Sequence, residues 1–132
     1  MIKQILVWVN DTEEFRSAAI WALELARALS ARVYAVYIIP LDIKTKKGKR
    51  LDPEKEEKAW EVLYEIEDDA FERNVRVSLL LETGEPLTRI CELIANYKTD
   101  LLVVSASSTL SANEIIRHSP KPVIFYKHPK EE

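Results

Sequence analysis

Apolar residues along this chain follow two alternating periods, that of a buried strand and that of a helix face. Ile5-Leu6-Val7-Trp8-Val9 is an unbroken apolar run, the pattern of a strand buried on both faces. Asn10-Asp11-Thr12 follows, three residues each able to cap a helix. Phe15, Ala19, Ala22, Ala26 and Leu29 then recur at spacings of three and four, which predicts a helix ending near Ser30. Val33 to Ile39 predicts a second strand, stopped by Pro40. After a polar loop over residues 40–52, Asp52-Pro53 marks a helix start with proline in the first turn. Ala59, Leu63, Ile66 and Ala70 give that helix a buried stripe to about Asn74.

Val75, Val77, Leu79 and Leu81 alternate with mostly polar neighbours, the pattern of a strand at or near a sheet edge. Thr83-Gly84-Glu85-Pro86 reads as a turn into a third helix, with Leu87, Ile90, Cys91 and Ile94 on its inner face. Leu101 to Val104 predicts a short buried strand, Leu110 to His118 a short helix, and Val123 to Tyr126 a last strand reached through Ser119-Pro120-Lys121-Pro122. The order β-α-β-α-β-α-β-α-β implies a parallel sheet with helices on both faces, joined by right-handed crossovers. Ligands of such folds bind beyond the carboxyl ends of the strands, where the strand order reverses. That rule singles out Asn10, Ile38, Ile39, Glu82 and the stretch from Ser105 to Thr109.

Composition narrows the classes. The 132 residues suit one domain, residues 1–132, with no repeat, linker or low-complexity segment, and 47% hydrophobic with 31% charged residues describes a globular protein. A formal net charge of −3 argues against a general nucleic-acid or membrane surface role. The run from Ile5 to Val9 is too short for a signal peptide or a membrane span, so a cytoplasmic location is expected. One cysteine rules out an internal disulfide and the usual zinc patterns. Glycine is the informative count. A chain of this length would hold about nine on average, and this one has two, Gly48 and Gly84. A glycine-rich phosphate cradle needs two or three close together.

The candidate chemistry follows from position. Ser105, Ser107, Ser108 and Thr109 follow a central strand, and their hydroxyls with the next helix terminus are suited either to hold a phosphate or only to cap that helix. Asn10 and Asp11 offer an amide and a carboxylate for a ribose hydroxyl or a metal, or serve as caps. Lys44 to Arg50 carries five positive charges in seven residues, either an anion-attracting loop or a solvated one. Cys91 reads as core packing rather than a nucleophile, and His118 and His128 have no metal-ligand spacing. Trp21 lies off the main stripe of its helix, as an interface residue does. No hydrolase motif is present, and a non-enzymatic role is expected. Phosphoacceptor receiver domains share the alternation, but here Glu82, which cannot form an aspartyl phosphate, stands where their acceptor aspartate would.

The whole chain resembles the universal stress protein family, UspA-like. The resemblance rests on Ile5 to Asp11 followed by Ala22-Leu23-Glu24-Leu25-Ala26, on Thr83-Gly84-Glu85-Pro86, and most specifically on Arg117-His118-Ser119-Pro120-Lys121-Pro122-Val123. It implies a three-layer α/β/α sandwich of the adenine-nucleotide α-hydrolase-like type, with a five-stranded parallel sheet in the order 3-2-1-4-5. Nucleotide-binding members carry G-x2-G-x9-G-[ST] after the fourth strand and an aspartate after the first. By position that aspartate becomes Asn10 and the first glycine Ala106. The final pair falls near Thr109 and Leu110, with about ten residues, including the second glycine, missing between. The adenine-side wall carries over as Val9, Ile38 and Ser105.

The resemblance therefore implies a stress-response binding or regulatory module with no cofactor, not binding ATP in the usual family manner. The alternative is an ATP- or AMP-binding protein that uses Ser105, Ser107, Thr109 and the basic loop for phosphate. It also implies a homodimer through the exposed last strand, Val123, Ile124, Phe125 and Tyr126, and leaves room for a protein partner.

Overall fold

β1 (Gln4–Val9) leads into α1 (Glu13–Leu29), β2 (Arg32–Ile39), α2 (Pro53–Glu72), β3 (Val77–Thr83), α3 (Pro86–Tyr97), β4 (Leu101–Ser105), α4 (Ala112–His118) and β5 (Val123–Tyr126). These elements come from a computed structural model, which describes residues 1–41 and 52–129; the basic stretch from Lys44 to Arg50 lies outside them. The five strands form one sheet in the order β3-β2-β1-β4-β5, and every neighbouring pair is parallel. The expected three-layer α/β fold with order 3-2-1-4-5 is thus the observed one.

Alternation along the strands divides the core. Ile5, Val7, Val9, Val33, Ala35, Leu101 and Val103 face α1 and α2, meeting Ala19, Ala22, Leu23, Ala26, Leu63, Ile66 and Ala70. Leu6, Trp8, Val36, Ile38, Leu102 and Val104 face the other way, onto Ile90, Leu93 and Ile94 of α3 and Ile115 of α4. The alanines of α1 bring its backbone close to the sheet, above all to β1 and β4. The central strands β1 and β4 are buried almost throughout, whereas β3 is half-buried along its length, as its alternating pattern predicts for an edge.

Local chemistry sets the boundaries. Thr12 is the N-cap of α1 and accepts from the Phe15 amide, and Asp52 caps α2 through the Glu54 amide. Gly84 takes φ +127°, a conformation open to glycine, at the turn from β3 to α3.

Four sequence expectations need correction. Leu29 is 43% exposed, because the left-handed cap at Ser30 turns the chain back, with the Ala31 amide on the Ala26 carbonyl, and ends the packed face one turn earlier. α2 stops at Glu72, short of Asn74, which takes a positive φ. Cys91 is only half-buried; its thiol donates to the His118 carbonyl at 3.3 Å, joining α3 to α4. α4 begins at Ala112 rather than Leu110, because the Leu110 amide is held in a turn by Ser108 Oγ at 3.1 Å.

Candidate functional site

The strand order reverses between β1 and β4. β1 is followed by a connection to β2 on one side and β4 by a connection to β5 on the other. The crevice beyond the ends of these two strands is where an open parallel sheet receives a ligand. Val9 and Ser105, at the ends of β1 and β4, and Ile38, near the end of β2, are 0%, 1% and 6% exposed. Val9 and, by alternation from Val103, Ser105 point to the α1 side of the sheet, whereas Ile38 points to the other side with Trp8 and Val104, so the three residues expected to form an adenine-side wall stand near the ends of their strands but do not share one face.

Asn10 stands at the mouth of the crevice. Its Oδ1 accepts from the Thr12 amide at 2.8 Å and from the Thr12 hydroxyl at 2.6 Å, and Thr12 in turn caps α1. The side-chain oxygen of Asn10 is therefore engaged in holding the first turn of the helix. Asp11, the other candidate after β1, points to α2 instead. Lys58 Nζ lies 2.9 Å from Asp11 Oδ2, and this hydrogen bond holds the Asp11 carboxyl below its ordinary range. Tyr37 lies near this pair, and burial, followed by the charge of Asp11, pushes its hydroxyl upward.

The loop after β4 is bound to itself. Ser105 Oγ lies 2.7 Å from Ser107 Oγ and accepts from the Ser107 amide at 3.2 Å. The Ser108 amide donates to the Ser105 carbonyl at 3.1 Å, and the Ala106 amide donates to the Tyr126 carbonyl of β5 at 2.7 Å. The backbone amides of Ala106, Ser107, Ser108 and Leu110 thus all have partners within the protein. No residue from Ala106 to Ser111 has a positive φ, so the alternation of right- and left-handed residues that points successive amides at one anion does not form. The reading of the Ser105, Ser107, Ser108 and Thr109 hydroxyls as caps of α4 does not hold. The cap position of α4 is Ser111, which makes no side-chain capping bond.

One participant escapes the sequence reading. Phe15 has the spacing of the α1 stripe, yet it does not pack with the rest of that stripe. It joins Trp8, Ile38, Val104 and Ile115 on the opposite side of the sheet, with its ring centroid 5.2 Å from that of Trp8 and the planes at 87°. The available signal was its bulk, a phenyl group opening a stripe whose next three members are alanines. Trp21, expected at an interface, is half-buried and stacks on Tyr126 of β5 at 5.6 Å. Among the described residues no group of three or more His, Cys, Asp or Glu is placed to hold a metal ion, and no helix is long and apolar enough to cross a membrane.

The model of the universal stress protein family matches residues 1–127. The chain belongs to the universal stress protein family. A universal stress protein of Methanocaldococcus jannaschii is 24% identical, and the match covers 100% of this chain and 86% of that protein. The universal stress protein of Archaeoglobus fulgidus in complex with dAMP superimposes with a TM-score of 0.78 at 23% identity, over 95% of this chain and 98% of the other. A universal stress protein family protein of Arabidopsis thaliana with AMP bound gives 0.73 at 18% identity, over 96% and 92%. At such identities these two structures speak for the fold.

Proposed function

We propose that this universal stress protein is a non-enzymatic, cytoplasmic binding or regulatory module that does not hold ATP through a phosphate loop. The observation that carries this reading is the state of the β4–α4 loop. A triphosphate cradle needs free backbone amides converging on one point. Here the amides of Ala106, Ser107, Ser108 and Leu110 donate within the protein. Opening the loop to a phosphate means breaking these bonds, including the one that ties β4 to β5. The side chains add no compensating charge, since Ser105, Ser107 and Thr109 are neutral and Asn10 replaces the carboxylate suited to a ribose. The alternative reading, a binder of adenine nucleotides at a degenerate site, draws on Val9, Ile38 and Ser105 standing at or near the strand ends that border the crevice and on the AMP and dAMP bound by the two relatives.

The module works as a homodimer. β5 lies at the sheet edge with one strand neighbour, and an uncovered edge of Val123, Ile124, Phe125 and Tyr126 calls for a partner strand.

Calorimetry with ATP and AMP, with and without Mg²⁺, on protein stripped of co-purified ligand tests the nucleotide reading. No heat at millimolar nucleotide is expected. Micromolar binding, with ATP or AMP tighter than adenosine, would overturn it in favour of the degenerate-site alternative.

A further inference from the structure

We infer that Phe15 is a built-in stopper, a side chain of the protein filling the crevice where a planar base would otherwise lie. The inference rests on the reading above and explains the base half of the site, as the β4–α4 loop explains the phosphate half. α1 packs on one face of the sheet through Ala19, Ala22, Leu23 and Ala26. Phe15, in its first turn, belongs to the cluster on the other face. A side chain on α1 reaches that cluster over the carboxyl end of β1, past Val9 and Asn10. The ring therefore occupies the switch-point crevice itself.

Its surroundings there are those of a ring-binding slot. The edge-to-face contact with Trp8, the last residue of β1 on that face, is the geometry aromatic pairs prefer. Ile38 at the end of β2, Val104 at the end of β4 and Ile115 of α4 belong to the same cluster. Phe15 and Trp8 are 4% and 7% exposed, so the slot is filled and water is kept out. The Asn10–Thr12 hydrogen bonds hold the turn that aims Phe15 inward. Position 15 then determines which ligand enters: an aromatic side chain excludes a heteroaromatic base, and a small one admits it.

The test is Phe15→Ala, with Phe15→Val as a milder variant, each shown folded by circular dichroism and then titrated calorimetrically with adenosine and with AMP beside the wild type. Adenosine is expected to bind the alanine variant about tenfold or more tighter than the wild type, because exclusion by the bulk of even one methylene is worth that much. The valine variant is expected in between. AMP is expected to bind the variant no better than adenosine does. If the alanine variant proves unfolded, the valine variant alone must show the gain. A folded variant with no gain for adenosine overturns the stopper and leaves the proposed function standing. Wild-type protein that binds adenosine as tightly as the variant also overturns the stopper. A preference of the wild type for AMP over adenosine overturns the proposed function instead.

Discussion

The amide of Ala106 and the carbonyl of Tyr126 lie 2.7 Å apart, joined by a hydrogen bond that extends the β4–β5 ladder one residue past the last strand position of β4. This bond makes the position that follows β4 part of the sheet. Ala106→Gly alone is therefore expected to leave nucleotide binding unchanged in calorimetry, since the amide stays engaged whatever the side chain. Its measurable effect is a loss of about 0.5–1 kcal/mol in urea unfolding, from the greater backbone freedom of glycine. Nucleotide binding by this variant would mean that the alanine methyl, and not the engaged amide, keeps the ligand out.

Phe15→Ala is expected to cost about 3–5 kcal/mol in stability, the range for truncating a buried aromatic residue. Urea unfolding at neutral pH measures it, and Phe15→Val is expected to cost less. A loss below about 1 kcal/mol would mean that the ring is not packed against Trp8 in solution.

Gly84 is required by conformation and by space. Its φ of +127° is strained for any L-residue, and a Cβ there would stand 2.9 Å from Arg89 Nε, the nitrogen that donates to the Thr83 carbonyl. Gly84→Ala is expected to destabilise the protein by about 1–3 kcal/mol, read as a lowered urea midpoint. An unchanged midpoint would show that the turn from β3 to α3 relaxes at no cost.

The Asp100 carboxylate accepts from the Lys3 and Gln4 amides at 2.8 and 3.0 Å. These bonds, the one from Lys3 foremost, hold its carboxyl below the ordinary value of 3.8. A depressed folded-state value means that the ionised group stabilises the fold above the ordinary value, and that this contribution disappears as pH falls through the folded value. Asp100→Asn is expected to be less stable than wild type at pH 7 and to converge with it in strong acid. Thermal unfolding of both proteins across that range decides it, and a gap independent of pH would contradict the assignment.

The dimer has a backbone signature. The Pro122 and Tyr126 carbonyls accept from β4, so by the two-residue alternation of a strand the Val123 and Phe125 amides point to the open side. Light scattering at micromolar concentration is expected to give a dimer. Val123→Pro, which removes one outward donor at the first position of the strand where proline is tolerated, is expected to shift it toward monomer. A wild-type monomer would remove the dimer from the proposal.

The order of elements, the class of fold and most of the buried residues were legible in the linear pattern. Strand runs and helix stripes are local consequences of periods near 2 and 3.6, and each reports directly which side of its element leaves water. The scarcity of glycine was equally plain, and with it the lack of a glycine-rich loop after β4. The tertiary structure alone decided how the residues after β4 are held. Ser105, Ser107 and Ser108 look the same in sequence whether their amides and hydroxyls face a ligand or one another. The acceptor for Ala106 comes from β5, twenty residues further on, and the pairing of Asp11 with Lys58 joins the turn after β1 to α2. Phe15 carries the period of one face and packs on the other, because a residue in the first turn after a strand can reach around the strand's end. Such choices depend on contacts between segments distant in the chain, which periodicity does not encode.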